Sequence, residues 1–270
     1  MVVSDVHLGS ADSDKASFNA FLTSLNDDDL LTDLVLLGDI VDMWRRDASG
    51  VFLDNVDTVQ IIVALKKKIR VHWIAGNHDY HLLRLKNRTS REHYPFEFLE
   101  KLELVEGDRT YLFMHGYEFE YGKEMKYIRP LLEMLCHVMS DAEGVPEDEL
   151  WVDVTKLMGD LHYSALVHHL EGKDVIITHS SLHDSPAKRL LDKLDKVEKR
   201  AHDEVRDRPG CTLIFGHTHH PFINNSENVV NTGSWVTDTA LHNTYVVLEK
   251  GKARLFVYDG DEITDRIEIE

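Results

Sequence analysis

Short apolar runs recur along the chain, and each one stops at a glycine or a polar residue. They show no clear alternation, which is typical of strands that are buried on both faces of an α/β sheet. Apolar positions such as Phe18, Phe21, Leu22 and Leu25 recur at helical spacing between two of these runs. The pattern predicts an α/β fold in which strands and helices alternate. The predicted strands are Val2-Val3, Leu34 to Leu37, Val71 to Ala75, Tyr111 to Met114, Asp174 to Thr178 and Thr212 to Phe215.

The pattern changes after residue 219, where polar and apolar positions begin to alternate. Residues 228–231, 244–249 and 253–258 are typical strands, and Lys250-Gly251 is a typical hairpin turn. We expect these later strands to form a second sheet that packs on the first. Ser185-Pro186 and Pro209-Gly210 are a typical start and stop for a helix between them.

Residues 123–172 differ from the rest because they are rich in Met, Leu and His and contain two helical segments, at about 124–140 and 147–170. Gly144-Val145-Pro146 separates the two segments. We interpret this stretch as a helical cap inserted into a single domain that spans residues 1–270.

Composition restricts the partners of the chain. The formal net charge of -18 disfavours a general attraction to nucleic acid or anionic lipid, and Lys66 to Lys68 is the one basic run that stands out. Cys136 and Cys211 lie far apart among apolar residues, which indicates buried thiols and a reducing cytoplasm. Because no apolar run approaches the roughly 20 residues of a membrane span, we expect no membrane anchor.

Polar residues follow the predicted strands at the positions where ligands bind in α/β sheets, beyond the carboxyl ends of the strands. Carboxylates, imidazoles and an amide oxygen together suit Mn, Fe, Zn or Co. Seven such groups can serve two divalent ions, for which Mn²⁺ is our first expectation. If Asp39 bridges the ions, they would lie about 3.5 to 4 Å apart and activate a bridging hydroxide. The candidate ligands are Asp5, His7, Asp39, Asn77, His115, His217 and His219.

His179 is an alternative to His115, because Ile176-Ile177-Thr178 before it also resembles a strand. We favour His115 as the ligand, since its spacing after Asn77 leaves room for one helix and two strands. His179 would then line the site or bind the substrate.

Five ordered motifs resemble the signature of the calcineurin-like metallophosphoesterases. They are Asp5-Val6-His7, Gly38-Asp39-Ile40-Val41-Asp42, Gly76-Asn77-His78-Asp79, His115-Gly116 and Gly216-His217-Thr218-His219. Each motif follows a predicted strand, and the resemblance extends over most of the chain. Five ordered motifs of this kind make coincidence improbable. The resemblance implies a four-layer α/β/β/α sandwich of two packed mixed sheets.

The same resemblance implies the role of each site residue. The first metal ion would take Asp5, His7, Asp39 and His219, and the second would take Asp39, Asn77, His115 and His217. His78 would protonate the leaving oxygen, with Asp42 or Asp79 orienting its imidazole. Both carboxylates also fit simple turn or capping residues.

A narrower resemblance links the chain to UDP-2,3-diacylglucosamine hydrolases. It rests on Trp44, on the order of His115-Gly116, helical insertion and final histidine motif, and on His220-Pro221. Those enzymes carry Arg where this chain has His78, so their activity is not transferred. Trp44 is a candidate substrate contact, and Arg45 or Arg46 a candidate phosphate clamp.

Three classes of function follow from these residues. The first is a phosphodiesterase or phosphomonoesterase that acts on a small or nucleotide-linked phosphate ester. The second is a nuclease of the same superfamily, which the lack of a basic stripe disfavours. The third is a non-catalytic interaction module, for which a loss of ligands would be expected. The sequence leaves the substrate, the metal and the oligomeric state open.

Overall fold

Two mixed β-sheets form the centre of the protein, as seen in a computed structural model that describes residues 1–86, 96–120, 186–224, 228–237, 239–258 and 262–263. A seven-stranded sheet has the order β12-β11-β10-β1-β2-β3-β4, and a five-stranded sheet has the order β5-β6-β7-β9-β8. In chain order the strands are β1 (Val2–Val3), β2 (Asp33–Leu37), β3 (Arg70–Ile74), β4 (Phe98–Leu99), β5 (Lys101–Glu106), β6 (Arg109–Met114), β7 (Cys211–Phe215), β8 (Phe222–Asn224), β9 (Val229–Asn231), β10 (Thr244–Glu249), β11 (Lys252–Val257) and β12 (Glu262–Ile263).

Helices cover the outer face of each sheet. The described helices are α1 (Lys15–Ser24), α2 (Ala48–Asp54), α3 (Val56–Leu65), α4 (Leu83–Lys86) and α5 (Pro186–Val205). Asp14 caps the start of helix α1, because its carboxylate accepts a hydrogen bond from the Ser17 amide. The predicted helical positions Phe18, Phe21 and Leu22 are the ones that α1 buries.

Strand β2 shows why the predicted strands lack alternation. Leu34 and Leu36 pack with the helices outside the seven-stranded sheet, whereas Val35 and Leu37 pack into the core between the two sheets. On the far side, α5 packs on the outer face of the five-stranded sheet. The prediction of a four-layer α/β/β/α sandwich is therefore confirmed.

The composition of the second sheet differs from our expectation. Strands β10 and β11 extend the first sheet, because Val246 of β10 pairs with Val2 of β1 in an antiparallel register. The second sheet instead contains β5 and β6, and it continues through β7 and β9. Among the strands after residue 219, only β8 and β9 of the described residues belong to it.

The predicted cap at residues 123–172 lies outside the described residues, so the proposed domain with its insertion stays a prediction. Within the described segments, no single helix is long and apolar enough to cross a membrane. Helices α2 and α3 meet the length and composition criteria only as a pair, and the pair is bent by 75°.

Candidate metal centre

Five parallel strands of the two sheets end at one edge, and the predicted ligands lie in the turns that follow them. Strands β1, β2 and β3 lead to Asp5, Asp39 and Asn77, while β6 and β7 lead to His115 and His217. The seven predicted ligands are buried or largely buried. The carboxyl ends of strands from two sheets thus meet at a single cleft, as expected for an α/β fold.

The turns at this edge have an unusual backbone. Five ligand residues adopt the left-handed region, which costs on the order of 1 kcal/mol for each non-glycine residue. These residues, with their φ angles, are Asp5 (51°), His7 (50°), Asp39 (52°), His217 (68°) and His219 (58°). Strain of this kind persists where the fold holds side chains for function.

Two glycines allow the ligand turns to approach each other. A Cβ atom on Gly76 would overlap Oδ1 of Asp39, and a Cβ atom on Gly38 would overlap the imidazole of His115. The glycines before Asn77 and Asp39 in the sequence motifs are therefore required by close packing at the centre.

The carboxylates of Asp5 and Asp39 each use one oxygen to hold the fold. Oδ2 of Asp5 accepts hydrogen bonds from the hydroxyl of Ser4 and from the amide of His217, the latter at 2.9 Å. Oδ1 of Asp39 accepts a hydrogen bond of 2.8 Å from the amide of His78. The opposite oxygens, Oδ1 of Asp5 and Oδ2 of Asp39, face the histidines of the cleft.

Asp42 lies between two histidines and orients both of them. Its Oδ2 is 3.0 Å from Nδ1 of His7, and its Oδ1 is 3.0 Å from Nδ1 of His78. The Nε2 atom of His7 then faces Asp5 and Asp39, 3.9 Å from an oxygen of each. Burial lowers the pKa of His7 more than Asp42 raises it, which favours the neutral imidazole that a metal requires.

His115 is fully buried and reaches both carboxylates of the centre. Its Nδ1 is 2.9 Å from the carbonyl oxygen of Leu37, so the hydrogen on Nδ1 leaves Nε2 as the atom directed into the cleft. Nε2 lies 3.0 Å from Oδ2 of Asp39 and 3.9 Å from Oδ1 of Asp5. The structure thus brings His115 into the ligand cluster, whereas His179 lies outside the described residues.

Three-residue clusters with ligand spacing match the two predicted metal positions. One consists of Asp5, His7 and His219, and another consists of Asp39, His115 and His217. A third, Asp39 with His7 and His78, connects them. The centre therefore has a donor set for divalent metal binding, with Asp39 at the junction of the clusters.

Buried polar atoms provide a test of whether these residues fit metal ions. Oδ1 of Asn77 is buried and accepts no hydrogen bond from any described residue, and Oδ1 of Asp5 is buried with Nε2 of His219 only as near as 3.4 Å. A buried oxygen without a partner costs free energy, and a bound cation removes that cost. Both of these oxygens lie on residues that the sequence predicted as ligands, so the donor set fits.

The charges at the centre also favour a cation. Burial opposes ionisation, yet His115 and His78 keep the pKa of Asp39 well below its usual range. In turn, Asp39 and Asp5 outweigh the burial of His115 and raise its pKa to about 10. The electrostatic field that holds a proton on His115 would equally favour a divalent cation at the same position.

Asp79 supports the ligand turns from behind the cleft. One of its oxygens accepts a hydrogen bond of 2.6 Å from the Gly76 amide, and the other accepts from the Ile40 amide at 3.1 Å and from Nε1 of Trp73 at 3.3 Å. Burial, followed by the charge of Asp39, raises the pKa of Asp79 to about 6. Of the two candidates for orienting His78, Asp42 makes the contact with its imidazole.

The predicted substrate contacts divide into two groups. Arg45 lines the cleft and forms an ion pair with Asp42. Arg46 does not reach the cleft, because its guanidinium pairs with Asp54 at 2.8 Å on the surface. Trp44 does not reach the cleft either, since it is buried and its indole stacks on His78 with ring centroids 3.8 Å apart.

Several residues that the sequence reasoning did not name as site residues also line the cleft, and two of them, Glu120 and Lys193, form an ion pair. Glu120 lies at the end of a 3-10 turn (Tyr117–Glu120) after β6, and Lys193 lies on α5. Burial opposes the charge of Glu120, but His217 and Lys193 lower its pKa to about 2. No motif marks these residues, because their proximity depends on how α5 packs against the turn.

Three solved structures align with most of the chain at low sequence identity. A phosphoesterase from E. coli, YfcE, is 15% identical, with 98% of this chain and 96% of that chain covered and a TM-score of 0.44. A dimetal phosphatase from Danio rerio is 14% identical, with coverage of 94% and 93% and a TM-score of 0.45. An archaeal phosphodiesterase is 14% identical, with coverage of 95% and 97% and a TM-score of 0.39.

Comparison with curated proteins gives no match. The family model for calcineurin-like phosphoesterases, in contrast, matches residues 1–221. This match spans well over half of the chain and contains every strand-end ligand from Asp5 to His219. The protein is therefore a member of the calcineurin-like phosphoesterase family.

Proposed function

We propose that the protein hydrolyses a phosphate ester with two divalent metal ions held at this centre. Asp39 would bridge the ions, and the clusters around it would supply the other ligands. The buried oxygens of Asp5 and Asn77 carry this proposal, because a metal ion is the partner that their positions call for. The first ion would be held by Asp5, His7, Asp39 and His219, and the second by Asp39, Asn77, His115 and His217.

When bound, the two dications would polarise phosphoryl oxygens and lower the pKa of water. The protein itself would supply the proton for the leaving oxygen. His78 is fixed at Nδ1 by Asp42, which leaves Nε2 as the nitrogen that can deliver a proton. Burial opposes the imidazolium form, but Asp42 and Asp39 outweigh it and raise the pKa of His78.

Arg45 would bind a non-leaving oxygen of the substrate. Its ion pair with Asp42 holds the guanidinium at the wall of the cleft, and the planar N–H donors of a guanidinium match the oxygens of a phosphate group. The net charge of -18 disfavours a nucleic-acid substrate, so we propose a small phosphomonoester or phosphodiester. Mn²⁺ is the proposed metal, with Fe, Zn and Co as alternatives.

Metal analysis combined with activity assays on Asp39→Asn tests the proposal. Because Asp39 is assigned to both ions, the variant should lose both metal binding and hydrolytic activity. Activity is measured on mono- and bis-(p-nitrophenyl) phosphate with Mn²⁺, Mg²⁺, Co²⁺ or Zn²⁺. Asp54→Asn is the matched control, since it removes one carboxylate from a surface ion pair. Two tightly bound equivalents of metal in Asp39→Asn would refute the bridging assignment.

A further inference from the structure

Glu120 is a buried carboxylate beside the metal centre that the proposed hydrolysis leaves without a role. Its side chain is only 9% exposed, and its Oε1 lies 2.8 Å from Nε2 of His217. A carboxylate removed from water to this degree requires hydrogen bonds or charge partners. The contact with His217 connects it directly to a residue of the ligand cluster.

The contact with Glu120 determines which nitrogen of His217 is available to a metal. An ionised carboxylate only accepts hydrogen bonds, so Nε2 of His217 must carry the hydrogen. In the neutral ring that a metal requires, the lone pair then lies on Nδ1, and we assign this nitrogen to the cluster that His217 forms with Asp39 and His115. A carboxylate behind a metal-binding histidine fixes the tautomer and ring orientation in this way.

Helix α5 holds Glu120 from the other side. Nζ of Lys193 lies 2.6 Å from the same Oε1 atom that contacts His217. Arg200, two turns further along the helix, donates from Nη1 to the carbonyl oxygen of Phe119 at 2.8 Å and also to that of Glu120. Both the carboxylate and the backbone of Glu120 are thus fixed by α5.

We propose that Glu120 is a positioning residue for His217 and that α5, through Lys193 and Arg200, holds it in place. Affinity for the second metal ion then depends on a carboxylate that does not bind the metal and on a helix outside the ligand motifs. This inference rests on the proposed function, because it takes His217 as a ligand of the second ion.

Metal titration of the chelated full-length protein tests the inference. Co²⁺ binding, followed by absorption and by metal analysis, should show two ions in the unmodified protein. Glu120→Ala should weaken the second ion by roughly 10- to 100-fold and leave the first unchanged. Glu120→Gln should lose less affinity for the second ion, because an amide oxygen can still accept the hydrogen bond from Nε2 of His217. Lys193→Met should also lose less affinity for the second ion than Glu120→Ala, since Glu120 keeps its contact with His217.

Nitrogen-15 spectra of the imidazoles in the zinc-loaded protein provide a readout that does not depend on activity. They should identify Nδ1 as the zinc-bound nitrogen of His217, with His217→Ala used to assign the signals. Glu103→Gln is the matched control, since it removes a surface carboxylate that pairs with Arg208 at 3.0 Å. This variant should bind both ions as the unmodified protein does.

Several results would overturn the inference. Unchanged binding of both ions in Glu120→Ala would leave the proposed function intact and exclude the positioning role. Equal losses in Glu120→Ala and Glu120→Gln would indicate that Glu120 is itself a ligand, and zinc on Nε2 of His217 would contradict the assigned tautomer. Fewer than two ions in the unmodified protein would refute the proposed function and the inference with it.

Discussion

Asp42 shows how one side chain can serve two roles at the residue scale. It accepts hydrogen bonds of 3.1 Å from the amides of Trp44 and Arg45, as a capping residue would. The same carboxylate contacts Nδ1 of His7 and Nδ1 of His78, so the turn and the two imidazoles are held together. The sequence offered capping and catalysis as alternatives, and the structure is compatible with both at once.

The role of His78 can be separated from that of the ligands. Its amide holds Asp39, but its side chain contacts Asp42, so His78→Asn should keep both metals. A general acid matters most for a basic leaving group, so the variant should lose much more rate on an alkyl phosphate than on a p-nitrophenyl ester, within about 10²- to 10⁴-fold. His72→Asn is the control, because it replaces a histidine that contacts Asp33 and not Asp42. Equal losses on both esters would exclude the acid.

Asp79 should matter for stability through the donors that it satisfies. Asp79→Ala would leave the amides of Gly76 and Ile40 without their acceptor, together with Nε1 of Trp73. Since a buried donor without a partner costs about 1 to 3 kcal/mol, we expect the free energy of unfolding to fall by several kcal/mol. Chemical denaturation of the metal-free protein measures this. Asp79→Asn should be less destabilised than Asp79→Ala, because the amide oxygen can still accept a hydrogen bond. An equal decrease in the free energy of unfolding for the two variants would indicate that the charge of Asp79 stabilises the fold.

At this scale the sequence identified the candidate ligands because each motif that contains them follows a recognisable strand. Asp5, Asp39 and His115 are visible as polar residues after apolar runs, and the family motifs fix their order. Glu120 and Lys193 were missed because they are 73 positions apart and meet only through tertiary packing. The sequence left Arg45 and Arg46 as alternatives, and Arg45 is the one that lines the cleft. Trp44 was a candidate contact, but its buried position against His78 depends on tertiary packing that spacing does not specify.

At the scale of elements, the two ends of the parallel strands have different tasks. The carboxyl ends carry the strained ligand turns, whereas the start of β2 carries an ion-pair cluster that belongs to the fold. There Asp33 accepts from Arg70 at 2.7 Å and contacts Nε2 of His72 at 2.8 Å, both on the neighbouring strand β3. This cluster connects adjacent strands far from the metal centre.

The Asp33 cluster predicts a pH dependence of stability. Burial opposes the charge, but Arg70 and His72 lower the pKa of Asp33 to about 2. Because the folded pKa is depressed, the contribution is present above about pH 4 and is lost as the pH falls toward 2. Asp33→Asn should therefore lower the free energy of unfolding at pH 6 by on the order of 1 kcal/mol, allowing for solvent screening.

Urea unfolding at pH 6, 4 and 3 checks this expectation for Asp33→Asn. The difference from the unmodified protein should shrink as the pH decreases, because protonation removes the same charge in both proteins. Asp57→Asn, which breaks an exposed pair with Lys15, is the control and should change little at any pH. A difference that grows at low pH would contradict the assigned sign.

The elements themselves were largely predictable, but their assembly was not. Five of the six predicted strands correspond to β1, β2, β3, β6 and β7, and the sixth, Asp174 to Thr178, lies outside the described residues. Lys250-Gly251 forms the hairpin with φ angles of 53° and 75°. Membership of a sheet depends on pairings between residues far apart, such as Val2 with Val246. No local pattern encodes that pairing, which is why β10 and β11 were assigned to the wrong sheet.

At the scale of the whole molecule, a net charge of -18 surrounds a cleft that gathers histidines around buried carboxylates. The acidic surface repels polyanions in general, and salt screens this repulsion. An anionic substrate would therefore depend on the proposed metal ions and on Arg45 for its attraction. We expect this contrast to favour the proposed small phosphate esters, which would present one anionic group to the cleft.

Metal removal should lower the stability of the whole fold, because ions that bind only the folded protein stabilise it by mass action. One site at a free metal concentration of about 100 times its Kd contributes about 2.7 kcal/mol. For a domain of this size that corresponds to a decrease in Tm on the order of 5 to 10 °C when a chelator is added. Calorimetry at constant ionic strength with Mn²⁺ or a chelator measures it.

Asp39→Asn separates binding at the centre from weak association of divalent ions with the acidic surface. The variant keeps nearly all of the surface charge, yet it lacks the carboxylate that is proposed to bridge the two ions. Its Tm should therefore respond little to Mn²⁺ or to chelation, while the Tm of Asp54→Asn should respond as the unmodified protein does. An equal shift in Asp39→Asn would place the stabilising ions on the surface, and the metal centre would then contribute nothing to the stability of the fold.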